Sequence, residues 1–227
     1  MIVYELSPHF RDRTDAGRKL ADKLAPHRLE NLFLLAVPHG GIPVAIAVAD
    51  QLKVPLDVIV VRKIPIPYNT EAGYGAVADD GTVLLNESLT KQIGLTPEQI
   101  QQQAKKIKQD MDARNALFRG KEPLPNLEGK TIVLIDDGLA SGFTMLAAAE
   151  SVNNRGAKKV IVAVPVASSS ACDRVKAKVD EVICCIIAKT TTFAVASFYH
   201  RWSDLSDEEV REYLRNWKKT SGHHLTI

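Results

Sequence analysis

Two adjacent carboxylates, Asp136 and Asp137, close an apolar run and open a small-residue stretch in TIVLIDDGLASGFTM, Thr131 to Met145. An apolar strand, two acids, a small-residue loop and a helix start together suit a phosphorylated sugar. Backbone N–H groups of Ala140, Ser141, Gly142, Phe143 and Thr144 would point inward at the helix N-terminus. There the macrodipole favours an anion, and the missing side chain of Gly142 lets a phosphate approach. The hydroxyls of Ser141 and Thr144 add donors. Asp136 and Asp137 would repel that phosphate, but ionised carboxylates accept hydrogen bonds from vicinal hydroxyls, so the acids are expected to hold a ribose diol. The alternative is an ordinary N-capped βα turn. Neither a P-loop nor a dinucleotide fold accounts for the run, because no Gly-Lys-Ser/Thr follows the loop and no G-x-G-x-x-G follows a strand.

A second turn, VPHGGIPVA from Val37 to Ala45, also follows a buried strand and opens a helix. Its Gly40 and Gly41 amides are placed to hold another anion, although a Gly-Gly pair after a strand is more often only a tight turn. His39 in the same turn can donate when protonated or as the appropriate neutral tautomer, or can be a satisfied surface histidine. Arg62 and Lys63 directly follow the apolar run Leu56 to Val61, either as anion ligands at the same edge or as a solvated basic pair.

The elements that must position these residues read as a parallel sheet. Short runs rich in β-branched and aliphatic residues, Leu32 to Val37, Leu56 to Val61, Thr131 to Ile135, Lys159 to Val164 and Glu181 to Ile187, are apolar enough to be covered on both faces. Helical patterns lie at Thr14 to Ala25, Ile42 to Leu52, Thr144 to Asn154 and Cys172 to Lys178. Gly75 to Ala78 and Thr82 to Leu85 read as short strands around an Asp79-Asp80-Gly81 turn. Thr96 to Arg119 begins with an N-cap, Pro97 and Gln99 in a capping box. Its narrow stripe of Ile100, Ala104, Ile107 and Met111 predicts a long exposed helix leaning on the sheet along one seam. Ser206 to Trp217 is a second capped helix, with Glu209 three residues after Ser206.

A chain of 227 residues is long enough for one sizeable core. Lys and Arg total 29 against 27 Asp and Glu, and the net charge of +2 provides no large field for nucleic acid or an acidic membrane. Any anion site must be local. Cys172, Cys184 and Cys185 lack metal-ligand spacing and read as buried reduced thiols of a cytoplasmic protein. MIVYELSPHF lacks a basic region followed by an apolar core, and no apolar run reaches the roughly 18 residues that span a bilayer, which argues against secretion and insertion.

The Thr131 to Met145 run, with its acid pair and its small residue, Gly, any residue, Thr ending, resembles the 5-phosphoribosyl-1-diphosphate (PRPP) motif of type I phosphoribosyltransferases. The HGG turn and the RK-then-loop segment make the chain most similar to a group of phosphoribosyltransferases predicted from sequence. The resemblance covers most of residues 30 to 190. It implies an α/β, doubly wound parallel sheet in a single domain over 1–227, with a core at about 30–190, hood segments at 1–29 and 190–219, and the exposed helix at 96–119.

The resemblance also implies roles. Ala140 to Thr144 would hold the 5′-phosphate, Asp136 and Asp137 the ribose, and His39, Gly40, Gly41, Arg62 and Lys63 the diphosphate. Tyr68 to Gly75 would be a mobile loop closing over the site, with Glu71 handling a proton. Phe198 or Tyr199 would stack on the acceptor base, while Trp202 and Trp217 are expected to pack the last helix. His9 to Arg13 would supply the other half of the hood.

The implied reaction transfers the phosphoribosyl group to a nitrogen acceptor with inversion at the anomeric carbon and loss of diphosphate. Magnesium would be carried mainly by PRPP, with no direct protein ligand. Ala140 stands where 6-oxopurine enzymes usually carry Asp, which favours an adenine- or uracil-like case. The competing expectations are a PRPP- or nucleotide-sensing regulator and, without an ATP motif, a diphosphokinase. No nucleic-acid or membrane partner is expected, a homodimer is compatible with the family, and the tail histidines His223 and His224 carry no assignment.

Overall fold

A computed structural model of the chain describes residues 2–3, 8–27, 30–67, 69–120, 122–190 and 192–221. In chain order its first elements are β1 (Ile2–Val3), α1 (Arg13–Leu24), β2 (Leu32–Ala36), α2 (Gly41–Leu52), β3 (Leu56–Val58), β4 (Val61–Ile66), β5 (Asn69–Ala78) and β6 (Val83–Leu85). Then follow α3 (Glu87–Gln92), α4 (Pro97–Arg119), β7 (Thr131–Ile135), α5 (Phe143–Asn154), β8 (Lys159–Ser168), α6 (Ser169–Lys176), β9 (Glu181–Ala188) and α7 (Asp207–Ser221). The His223 and His224 positions lie outside the described residues.

Six strands form a parallel sheet in the order β1-β9-β8-β7-β2-β3. From β2 the chain crosses through α2 to β3 on one side and later returns to place β7 on the other side of β2. The winding reverses between β2 and β7, which opens a crevice at their carboxyl ends, where ligands of doubly wound sheets bind. The strands read as continuous apolar runs because both faces are covered. Leu34, Ala36, Val133 and Ile135 pack under α1, α2, α4 and α7, whereas Phe33, Leu35, Ile132 and Leu134 face α5 and α6. Helices α1 and α2 lie so close that a Cβ on Gly17 would sit 2.4 Å from the Val44 carbonyl oxygen.

The expected second run, Leu56 to Val61, is divided: Leu56–Val58 pairs with β2, and from Val61 the chain enters a separate antiparallel sheet, β4-β5-β6. Tyr68 to Gly75, read as a mobile loop, is mostly strand β5; Tyr68 and the side chains of 69–72, Glu71 among them, lie outside the described residues. The glycines that signal a loop here allow strands to approach. A Cβ on Gly73 would meet Lys63 Cγ at 2.2 Å, and one on Gly75 the Leu84 carbonyl oxygen at 2.5 Å. Between them Tyr74 points inward and is fully buried.

Helix α4 has the expected capping box, Thr96 accepting from the Gln99 amide and Gln99 from the Thr96 amide. Most of its packing is on β4, β5 and α7, and it reaches the parallel sheet towards its C-terminal end, because the stripe through Ala104 and Met111 continues to Phe118 and Arg119. Arg119 lies 3.3 Å from Asp57 on β3, their side chains 5 % and 2 % exposed, and 4.0 Å from Asp79, which Arg155 pairs at 2.8 Å. Burial pushes the Asp57 carboxyl up to about 6, partly offset by Arg119 and the Val58 amide.

The folded-state value of Asp57 lies above the ordinary 3.8, so between these values the folded protein holds a proton that the unfolded chain has released. Stability from this group therefore rises as pH falls through about 6 and levels near 4. Asp57→Asn is expected to flatten the gain between pH 7 and pH 5 by about 1 kcal/mol, read from urea denaturation at both pH values.

Candidate functional site

At the crevice, the turn after β2 and the acids after β7 are in contact. A Cβ on Gly40 would fall 1.8 Å from Asp137 Oδ2, and one on Gly41 would fall 2.6 Å from the Ile135 carbonyl oxygen. The Gly-Gly pair is therefore required by the neighbouring strand end, whatever anion its amides also serve. The Pro38–His39 peptide is cis.

The two acids face different ways. Asp136 is half-buried on the crevice wall, and its Oδ1 accepts from the Asp137 amide at 2.8 Å. Asp137 is buried and turned inward, where Arg13 Nε donates to its Oδ2 at 2.8 Å and the Tyr199 hydroxyl donates to its carbonyl oxygen at 2.7 Å. Burial, then the charge of Asp137, holds Asp136 well above the usual carboxylate range. Burial also raises Asp137, with Arg13 opposing it. The inward orientation corrects the expectation that both acids meet a diol: Asp136 alone is placed on the cleft side, and Asp137 is held by Arg13.

Arg13 is locked in turn. Its Nη1 donates to the Ser203 carbonyl oxygen at 2.8 Å, and its guanidinium lies 3.9 Å from the Trp202 ring centroid. The segment before α1 runs beside residues 198–201, with His9 and Phe10 amides donating to the Phe198 carbonyl and the His200 amide to that of Phe10. Phe198 is fully buried against His9 and Phe193, and Tyr199 packs at a tilt against Phe10 and Trp202. Both rings expected to stack on a base are interior, which corrects that assignment; they fasten the N-terminal segment to the chain after β9. Trp217 packs α7 as expected, its Nε1 donating to Asp50 at 2.9 Å.

The loop after the acids ends in Gly142, the N-cap of α5, at φ +82°, a conformation that favours glycine. Ala140 and Ser141 are exposed, and Phe143 and Thr144 are half-buried. Ser168 Oγ donates to the Ala140 carbonyl oxygen at 2.9 Å and Arg174 to that of Ser141, so these carbonyls are drawn away from the helix end. The first amides of a helix have no intrahelical acceptor, so those of α5 take their partner from outside the helix.

A cleft of about 870 Å³ joins the parts: Val37, Pro38 and His39 of the first turn, Arg62 and Lys63 of β4, Asp136 and Thr144. Its remaining wall is α4, through Gln103, Lys106, Ile107, Asp110 and Arg114. A neighbouring cavity of about 720 Å³ between Ile66, Leu95 and Gln99 shares Gln103 and Lys106 but contains neither acid. His39 Nε2 lies 2.6 Å from Asp207 Oδ1, and Arg114 Nε lies 3.3 Å from the other oxygen of Asp207.

Sequence reasoning placed Arg13 only as the end of a hood segment, without its pairing to Asp137, and missed Arg114 and Asp207. Arg13 meets Asp137 across 124 positions and Asp207 meets His39 across 168, so no local spacing signals either contact. The charged face of α4 was visible as a polar face only.

The phosphoribosyl transferase domain model matches residues 11–200 of the chain. Two Mycobacterium tuberculosis proteins, "Putative phosphoribosyl transferase MT0597" of strain CDC 1551 / Oshkosh and "Putative phosphoribosyl transferase Rv0571c" of strain ATCC 25618 / H37Rv, are 37% identical to it over 206 residues. The match covers 90% of this chain and 46% of each relative, so the chain spans about half the length of the curated relatives it matches. The crystal structure of TT1426 from Thermus thermophilus is similar at a TM-score of 0.77 and 36% identity, covering 92% of this chain and 99% of that one.

Removing Arg13 leaves the buried Asp137 carboxylate without its countercharge. Arg13→Ala is expected to lower unfolding free energy by about 3–5 kcal/mol, and Arg13→Lys to recover only part of it, in denaturant titrations without ligand. Gly40→Ala must push the turn off Asp137 and is expected to cost about 1–3 kcal/mol in the same assay.

Proposed function

The chain belongs to the phosphoribosyl transferase domain family, and from that membership we propose that it transfers the phosphoribosyl group of PRPP to a nitrogen acceptor, a nucleobase, releasing diphosphate. The observation that carries this reading is the meeting, in one cleft, of the first turn through Val37, Pro38 and His39, Arg62, Lys63, Asp136 and the α5 end at Thr144. In it the α5 end takes the 5′-phosphate, Asp136 accepts from the ribose hydroxyls, and the first turn with Arg62 and Lys63 takes the diphosphate. Catalysis is then positioning and charge stabilisation as the diphosphate departs from an oxocarbenium-like anomeric carbon.

Magnesium suits this donor set as a hydrated ion carried by the substrate. No group of three or more His, Cys, Asp or Glu side chains that could cage a metal occurs among the described residues, and Asp136 offers carboxylate oxygens on the cleft wall. Asp136 would hold the ion through water, and the ion would neutralise part of the diphosphate charge. The acceptor enters on the α4 side of the cleft, since Phe198 and Tyr199 present no open face. No helix among the described residues is long and apolar enough to cross a membrane. With three free cysteines, we assign the protein to the cytoplasm.

The test is titration calorimetry of the protein with magnesium and PRPP beside Asp136→Asn, followed by a diphosphate-release screen over nucleobases. Asp136 is the acid to change because Asp137 also supports the fold. Loss of a charge-assisted hydrogen bond is expected to weaken PRPP binding about 10- to 100-fold, with one base releasing diphosphate. Wild-type protein that does not bind PRPP would remove the reading, and binding without release from any base would make it a sensor.

A further inference from the structure

Asp207, the first residue of α7, bridges two side chains from different elements: it is hydrogen-bonded to His39 of the first turn at 2.6 Å and ion-paired with Arg114 of α4 at 3.3 Å, one on each carboxylate oxygen. Both side chains line the cleft. A bidentate oxyanion between a guanidinium and an imidazole is also how a phosphate group is held, its oxygens taking the places of the carboxylate pair. All three side chains are about one-third exposed, at 30 %, 28 % and 34 % for His39, Arg114 and Asp207, so another anion can reach the pair from solvent.

We propose that His39 and Arg114 form a phosphate subsite of the cleft, that Asp207 fills it in the ligand-free protein, and that an incoming diphosphate displaces Asp207. The proposal rests on the reading of the cleft as a diphosphate site, and adds Arg114 as a ligand and Asp207 as its internal competitor. Once released, Asp207 still sits in the first turn of α7, where the helix dipole favours a carboxylate, so displacement does not strand a charge. A tethered carboxylate competes at high effective concentration and sets a threshold. A multiply charged diphosphate, held also by Arg62 and Lys63, passes it; orthophosphate, with fewer contacts, does not. Asp207 thus makes the subsite selective as well as occupied.

The experiment titrates wild type, Asp207→Asn and Arg114→Gln with magnesium diphosphate, magnesium PRPP and orthophosphate. Ser206, which caps α7 by accepting from the Glu209 amide, is untouched by Asp207→Asn, and circular dichroism confirms that each variant is folded. Asp207→Asn is expected to tighten diphosphate about tenfold and to raise orthophosphate binding relative to it, while Arg114→Gln weakens diphosphate about tenfold. Diphosphate binding that is unchanged or weaker in folded Asp207→Asn overturns the proposal and makes Asp207 a residue that only orients His39. Binding of diphosphate that responds in this way, in a protein that ignores PRPP, would sustain the subsite while removing the transferase reading. PRPP binding that depends on Asp136 but is indifferent to Asp207 and Arg114 would do the reverse.

Discussion

The buried Asp137 carboxylate is the constraint around which the cleft is organised. A carboxylate out of water is tolerable only with an opposite charge and satisfied lone pairs, and Arg13 provides the charge from the first residue of α1. That pairing requires α1 to sit close to the sheet, which Gly17 permits against α2. It requires the chain after β9 to close over the arginine, which Trp202 and Ser203 do. The same carboxylate leaves no room for a side chain at Gly40, so the shape of the first turn follows from the charge beneath it. N-terminal segment, C-terminal segment and both loops of the crevice thus meet at one ion pair.

The division of labour between the acids follows from strand geometry. Successive residues at the end of a strand point to opposite sides, so an adjacent pair sends one side chain into the cleft and the other inward. Asp136 is the outward member and Asp137 the inward one. Their proximity raises Asp136 through burial and like charge, while the guanidinium opposes the rise at Asp137. A ligand that brings hydroxyl donors to Asp136 would favour its ionised form, so sugar binding and the charge of this group are coupled.

What the sequence made legible was whatever is encoded locally. The strand Thr131–Ile135, the capping box at Thr96 and the boundaries of α2 and α5 to within a residue depend on apolar period and on cap residues a few positions apart. The β4-β5 hairpin was hidden because Gly73 and Gly75 carry the signature of a loop while serving close strand packing, and because Pro65 and Pro67 interrupt the alternation. The two contacts that shape the site, Arg13 with Asp137 and His39 with Asp207, join residues more than a hundred positions apart, and an arginine at a helix start or an aspartate at another looks like any solvated charge. The acid pair was legible as a motif, but the opposite orientations of its members depend on Arg13 and Gly40, which only the fold brings near.

A net charge of +2 coexists with a cleft whose walls carry Arg62, Lys63, Lys106 and Arg114, together with the acids Asp110 and Asp136. Asp207 sits on Arg114 and His39, and Asp110 stands between Lys106 and Arg114 on α4. Without ligand this arrangement avoids a concentration of unpaired positive charge that would strain the join between α4, α7 and the first turn. A polyanion gains most by replacing the internal carboxylate, since it keeps every contact that Asp207 made and adds those to the hairpin cations. A neutral molecule of the same size gains none of these. The contact that joins α4, α7 and the first turn would therefore also rank the ligands of the cleft by charge, and both properties come from one residue at the start of the last helix.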